Sequence, residues 1–265
     1  MFRLDGKTAI VTGAGQTPGI TIGNGRATAV LFARQGARVL VVDRNRASAE
    51  ETCELIAAEG GDSQPWTADV ADENDVQAMV AACLDAFGRI DILQNNVGIG
   101  TRDRSATRLE LADWQRIMDV NLTSMFLTAK YTLPHLRQQE SGCITNISSV
   151  AAIAATAMLA YKTSKAGVMA LTQNLASANA RFGIRANCIL PGLMNTPMAV
   201  EGFSESQGKS REDVIAERDA RVPLRGKMGT AWDVAHASLY LASDEANFVT
   251  GVNLPVDGGQ SIRVG

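Results

Sequence analysis

Short apolar runs alternate with longer runs of helical period through most of this chain, and that alternation restricts the fold more than any other feature. Residues 8–12 read as a strand, 25–35 as a helix and 37–43 as the next strand. Helices over 47–59 and 73–87 follow, with a strand near 64–68 between them. A fourth strand covers 91–95, one long helix or two cover 114–136, and a fifth strand covers 143–147. A helix over 161–180 and a sixth strand over 185–190 complete the series. Strands that are apolar on both faces need cover on both, so the pattern predicts a parallel sheet with helices on each side, a doubly wound α/β fold. No repeat, low-complexity tract or linker divides the 265 residues, and one large domain accommodates them.

A glycine-rich turn joins the first strand to the first helix. Thr12-Gly13-Ala14-Gly15 leaves the strand and Gly23-Asn24-Gly25-Arg26-Ala27 leads into the helix. Glycines in that position let backbone approach a pyrophosphate, which the helix N-terminus then stabilises. Asp43 ends the second strand, where a carboxylate can accept hydrogen bonds from ribose hydroxyls. A dinucleotide is the expected ligand. Gly6-Lys7-Thr8 resembles the end of a P-loop, but it precedes the strand and lacks the upstream glycine.

Tyr161 and Lys165 fall four apart in a helical run, on one face of its first turns. A free phenol has a pKa of about 10, and a nearby ammonium together with the helix dipole favours phenolate. Such a pair suits proton transfer to a carbonyl or from an alcohol. On its own, the pattern fits equally a packed tyrosine with a solvated lysine one turn on.

The net charge of −3, without a dense basic cluster, argues against nucleic acid as partner. There is no long apolar segment of membrane-spanning length and no signal-peptide layout at the start, so the cytoplasm is the expected compartment. Cys53, Cys83, Cys143 and Cys188 are scattered, and His135 and His236 lie far apart, so neither a disulfide framework nor a metal site is expected. Ser148-Ser149 is not in a Gly-x-Ser-x-Gly elbow, which disfavours a serine hydrolase. The charged, Ser- and Gly-containing stretch within 197–223 reads either as a flap over a ligand cleft or as a solvated surface helix.

In order along the chain stand Thr12-Gly13…Gly23-Asn-Gly25, Asp69-Val70, Asn95-Asn96-Val97-Gly98, Asn121, Asn146-Ile-Ser-Ser149, Tyr161-x-x-x-Lys165, Pro191-Gly192 with Thr196, and Val256-Asp257-Gly258-Gly259. With this set the chain resembles the single-domain short-chain dehydrogenases/reductases over essentially its whole length. The resemblance implies a Rossmann-type doubly wound sheet of about seven strands and an NAD(P)-dependent oxidoreductase acting on a secondary alcohol or ketone. It implies Tyr161 as acid/base, Lys165 lowering its pKa and holding the nicotinamide ribose, a serine positioning the substrate oxygen, and Asn121 holding a water of a proton relay. Gly13, Gly23, Gly25, Asp43, Asp69, Val70, Asn95, Gly98, Pro191, Gly192 and Thr196 would line the cofactor site with Tyr161 and Lys165. It also implies a homotetramer. A cofactor sensor or scaffold without turnover is the rival reading, disfavoured by the complete set Asn121, Ser149, Tyr161 and Lys165.

Three departures from the family pattern stand out. Residues 16–21 lengthen the glycine-rich loop, which leaves open which glycine meets phosphate. The usual Asn-Asn-Ala-Gly is Asn95-Asn96-Val97-Gly98. Spacing counted back from Tyr161 points to Ser148, whereas the register after Asn146-Ile147 points to Ser149, which we favour because a strand leaves little freedom. Asp43 favours NAD over NADP by repelling a 2′-phosphate, with Arg26, Arg44 and Arg46 as the counterweight. Ala152, Ile153, Leu193 and Met194 suggest a partly apolar pocket, with Met158, Met169 and Met198 near it and no obvious arginine clamp for a carboxylate.

Overall fold

The computed structural model describes residues 2–154 and 156–262. Its centre is a seven-stranded, wholly parallel sheet. The strands are β1 (Thr8–Thr12), β2 (Arg38–Asp43), β3 (Asp62–Thr67), β4 (Ile92–Asn95), β5 (Gly142–Ile147), β6 (Ile184–Pro191) and, at the far edge, β9 (Asn253–Val256), in the order 3-2-1-4-5-6-9. A two-stranded ribbon, β7 (Met194–Asn195) with β8 (Gly229–Thr230), lies outside it.

The side-chain period of two explains why both faces had to be apolar. Ile10, Leu40 and Val42 point to one face, where they meet α3 (Glu73–Phe87), α5 (Ser124–Gln139) and α6 (Leu159–Asn179). Ala9, Val11, Val39 and Val41 point to the other and meet α1 (Asn24–Arg34), α2 (Arg46–Ala58) and α9 (Ala231–Ala242). Pro65 sits in β3, an edge strand, where a missing N–H is tolerated.

Of the one long helix or two expected over 114–136, the structure has two, α4 (Leu111–Met118) and α5, joined by a π-helical turn at Asp119–Thr123. The polar stretch after β7 is also two helices, α7 (Pro197–Gln207) and α8 (Arg211–Asp219), separated by Gly208 in the left-handed conformation. Val200, Val214, Val222 and Met228 give this unit a small core of its own. No described helix is long and apolar enough to cross a membrane.

Strand order reverses between β1 and β4, which opens a crevice beyond the strands' C-terminal ends. A cleft of about 1400 Å³ lies there, bounded by the glycine-rich loop, the ends of β2, β4, β5 and β6, the start of α6, and the α7–α8 unit.

Candidate active site

At the glycine-rich end, close approach dictates the residue type. A Cβ on Gly25 would lie 1.9 Å from the Gly13 carbonyl oxygen, so only glycine lets α1 start this near the end of β1. Gly13 has φ +62°. Gly23 is the N-cap of α1, and its amide donates to Gln16 Oε1 at 3.0 Å. Gly15 serves Asp43: its amide donates to Oδ2 at 3.1 Å. The loop is also tied to α2, since Gln16 N donates to Ser48 Oγ at 2.8 Å and Thr52 Oγ1 to the Ala14 carbonyl at 2.8 Å. The extra residues lean on the flap: Ile20 N donates to Glu201 Oε1 at 3.2 Å, and a Cβ on Gly19 would come within 2.7 Å of Pro197.

Gly13, Gly23, Gly25, Asp43, Asp69, Val70 and Gly98 all line this half of the cleft. Of the three arginines that could answer a 2′-phosphate, Arg26 is buried and bound to Thr52 and Glu51, each at 2.9 Å, and Arg46 pairs with Glu50 at 2.7 Å. Arg44 alone lines the cleft. Asn95 does not belong to the lining. Its Nδ2 donates to Asn146 Oδ1 and its Oδ1 accepts from Thr128, both at 2.9 Å, which stitches β4 to β5 and α5. Successive side chains at a strand end point opposite ways, and it is Asn96 that faces the cleft.

The first turns of α6 bring Tyr161 and Lys165 into the same cleft as Ser149. Ser149 comes close enough to the Tyr161 phenol to lower its pKa. Ser148 is buried, and its hydroxyl donates to the Lys165 carbonyl at 2.7 Å, so of the two serines only Ser149 meets the phenol. Lys165 is 2% exposed, and its Nζ donates to the Ile147 carbonyl at 2.8 Å. Burial pulls its pKa down to about 8.

Two sequence expectations change here. Burial pushes the Tyr161 phenol up, and the opposing influence is Ser149. The Lys165 ammonium donates to the carbonyl at the end of β5 and lies 5.8 Å from the phenol ring centroid. Asn121, in the π-helical turn, is buried away from the cleft. Its Oδ1 accepts from Ile99 N at 2.7 Å, while Nδ2 donates to the Ile99 carbonyl at 2.9 Å and to Ser164 Oγ at 3.0 Å. The side chain therefore clamps the 98–100 loop to α6 and has no N–H left for a water. That loop packs tightly, since a Cβ on Gly98 would come within 2.8 Å of Lys165 Nζ.

Sequence reasoning passed over Asp103. Its Oδ1 accepts from Ala160 N at 3.1 Å and its Oδ2 from Tyr161 N at 2.7 Å. A carboxylate from the β4–α4 loop thus caps the helix that carries the tyrosine, matching the helix dipole. No local pattern announces a cap supplied from 58 residues away.

At the other end, Pro191, Gly192 and Thr196 line the cleft at the exit of β6. Thr196 is the N-cap of α7, yet its hydroxyl takes no part in capping. Met158, Met194, Met198 and Leu193 also line this half, whereas Met169 packs in the core beneath α6 and Ala152 and Ile153 lie outside the lining. Arginine is present after all: Arg218 and Arg221 enter the lining from the flap. Their i, i+3 spacing, which places two residues on one helical face, was the available signal.

This fold and this cleft define an oxidoreductase of the dinucleotide-binding class. A family model described as Enoyl-(Acyl carrier protein) reductase matches residues 19–261. The chain is 38% identical to 3beta-hydroxysteroid dehydrogenase 1 of Eggerthella lenta, over 99% of this chain and 96% of that one. It superposes on a solved structure described as a short-chain dehydrogenase/reductase of Burkholderia xenovorans with a TM-score of 0.91 and 42% identity, each chain covered in full. Levodione reductase superposes with a TM-score of 0.92 at 32% identity, over 99% of this chain and 100% of that one. The chain belongs to the short-chain dehydrogenase/reductase family, whose members use nicotinamide cofactors.

Proposed function

We propose that the protein is an NAD-dependent dehydrogenase that interconverts a secondary alcohol and its ketone. The observation that carries this reading is the meeting of Ser149, Tyr161 and Lys165 in one cleft whose far end is a glycine cradle facing Asp43. The residues fit a dinucleotide: Gly13, Gly15, Gly23 and Gly25 line the cleft beside Asp43 at the N-terminus of α1, and the cleft exceeds the roughly 300–1,000 Å³ of drug-sized ligand sites. When bound, the nicotinamide supplies or accepts the hydride.

The chain's own residues position the substrate and move a proton. Ser149 holds the substrate oxygen beside the phenol, so that oxygen and Tyr161 Oη share a hydrogen bond. In the reductive direction Tyr161, kept protonated by burial, donates to the carbonyl oxygen as negative charge develops there. In the oxidative direction it accepts the alcohol proton, and Lys165 places a positive charge behind the forming phenolate. Asn121 and Asp103 hold the loop and helix that aim these groups. Asp43, whose Oδ2 accepts from Gly15 N and whose Oδ1 accepts from Asn45 N, keeps a second acceptor position on each oxygen for a ribose diol and repels a phosphate, which supports NAD.

The α7–α8 unit acts as the lid of the substrate end. A homotetramer is part of this reading: Phe126 on α5 and Phe248 near the β9 edge are large apolar side chains exposed at 50% and 99%. A stable, active monomer in sedimentation would count against it. The cytoplasm remains the proposed compartment.

The deciding experiment follows reduced-nicotinamide absorbance with a panel of secondary alcohols and ketones, each with NAD and NADP. Tyr161→Phe should retain cofactor binding and lose turnover by about 10²–10⁴ or more, the usual size of a general acid–base contribution. Turnover that survives the substitution would refute the mechanism. Cofactor binding by the unaltered protein without turnover on any substrate would favour a sensor.

A further inference from the structure

The flap holds two arginines that its own charges leave unused. Arg218 in α8 and Arg221 just beyond it both line the substrate end of the cleft. The Arg218 guanidinium lies over the Phe203 ring, 5.0 Å from its centroid, and its Nε contacts Met228 Sδ at 3.4 Å. Among the described residues neither arginine side chain makes an ion pair. The nearby carboxylates are engaged elsewhere: Glu217 with Lys209 at 2.5 Å, Asp219 with Lys227 at 2.7 Å, and Glu201 with Arg211 at 3.2 Å. Burial, aided by the like charge of Arg221, pulls Arg218 down to about 10, which leaves it charged at neutral pH without a compensating anion.

A half-buried cation without a counter-ion is costly to keep. With its face against Phe203 and its Nε on Met228 Sδ, the Arg218 guanidinium keeps its Nη N–H donors for an oxyanion, and the paired Nη groups suit two-pronged binding. The opposite end of the cleft has its own anion-binding element in the N-terminal amides of α1, so a second cationic group over the substrate half serves a second anion.

We propose that Arg218 and Arg221 form an oxyanion subsite in the lid, which selects substrates carrying a carboxylate, phosphate or sulfonate away from the reacting hydroxyl. This inference rests on the dehydrogenase reading above and adds a substrate class to it. The other source of the same chemistry is a cofactor phosphate, and the test separates the two.

The probes are hydroxy acids and their methyl esters: 3-hydroxybutyrate, 4-hydroxypentanoate and 9-hydroxydecanoate. For at least one spacing, the wild-type protein should favour the acid over its ester by about tenfold or more in kcat/KM, the scale of a charge-assisted hydrogen bond. In Arg218→Gln/Arg221→Gln that ratio should fall towards one, and Arg218→Lys should keep part of it. Calorimetric binding of 4-oxopentanoate and its ester with NAD present, a pair between which no hydride can pass, gives a readout independent of turnover. If acids bind better than esters through the arginines but nothing turns over, the dehydrogenase reading fails and the subsite stands. Equal use of acid and ester by the wild type, with equal binding, overturns the subsite. So does a double variant that weakens NADH binding while the acid-to-ester ratio persists, which would assign the arginines to the cofactor.

Discussion

Replacing Lys165 with methionine should make the protein more stable near neutral pH, and the gain should fade as pH rises. The Lys165 ammonium is 2% exposed, and the Ile147 carbonyl is its hydrogen-bond acceptor. Burial lowers its pKa from 10.5 to about 8. Because the folded value lies below the unfolded one, the unfolded chain holds the extra proton between them. The group's contribution to stability is therefore complete above about 10.5 and lost as pH falls through about 8. Linkage over that shift puts the cost of the buried charge at about 3 kcal/mol near pH 7 and about 1 kcal/mol near pH 9.5. Wild type should thus gain about 2 kcal/mol on Lys165→Met across that interval. Loss of the bond to Ile147 offsets about 1 kcal/mol of the variant's advantage at each pH and leaves the difference between pH values intact. Stopping near pH 9.5 stays below the range in which the upward-shifted Tyr161 phenol ionises. Urea unfolding at fixed protein concentration, with equal slopes for both proteins, gives the two stabilities. A difference that does not change with pH, or that grows with it in the variant's favour, would refute the assignment of Lys165 as a buried cation.

Asp103→Ala should cost about 1–2 kcal/mol in urea unfolding, as loss of a helix cap does, and should lower kcat more than it raises KM, because Tyr161 loses its anchor. Gly25→Ala should abolish detectable NADH fluorescence enhancement, since the added methyl collides with the Gly13 carbonyl; unchanged cofactor affinity would show that the loop adapts. Asp43→Ser should shift the NADP-to-NAD ratio of kcat/KM upward by about tenfold or more, with Arg44 as the available phosphate partner; Arg44→Ala in that background should reverse the shift.

The sheet was legible because its strands are buried on both faces and say so in every second residue: Ile10 against Ala9 and Val11 is the clearest case. Helix limits were less so. The break at Asp119–Thr123 falls in a run with uninterrupted helical character, and nothing local marks a π-helical turn whose Asn121 bonds to a distant loop. The placing of Tyr161 and Lys165 in one cleft was legible because their four-residue spacing fixes a helix face, whereas Ser148 and Ser149 were divided by two conflicting counts. Asn95 and Asn96 are adjacent and identical, and only the strand's orientation decides which faces the cleft. The phenol's environment depends on three-dimensional burial and on where an ammonium turns, neither of which a four-residue spacing contains. Asp103 was invisible for the same reason: its partners are far along the chain.

The contact between Ile20 and Glu201 joins two walls that otherwise belong to different ligands. If the lid swings away from the 16–21 insertion when the cleft opens, this hydrogen bond and the packing of Gly19 on Pro197 break with it. A molecule that steadies the insertion then also favours closure, and one that closes the lid steadies the insertion by the same free energy. Affinity for either ligand would depend on the presence of the other without any direct touch between them. Removing residues 16–21 would uncouple them.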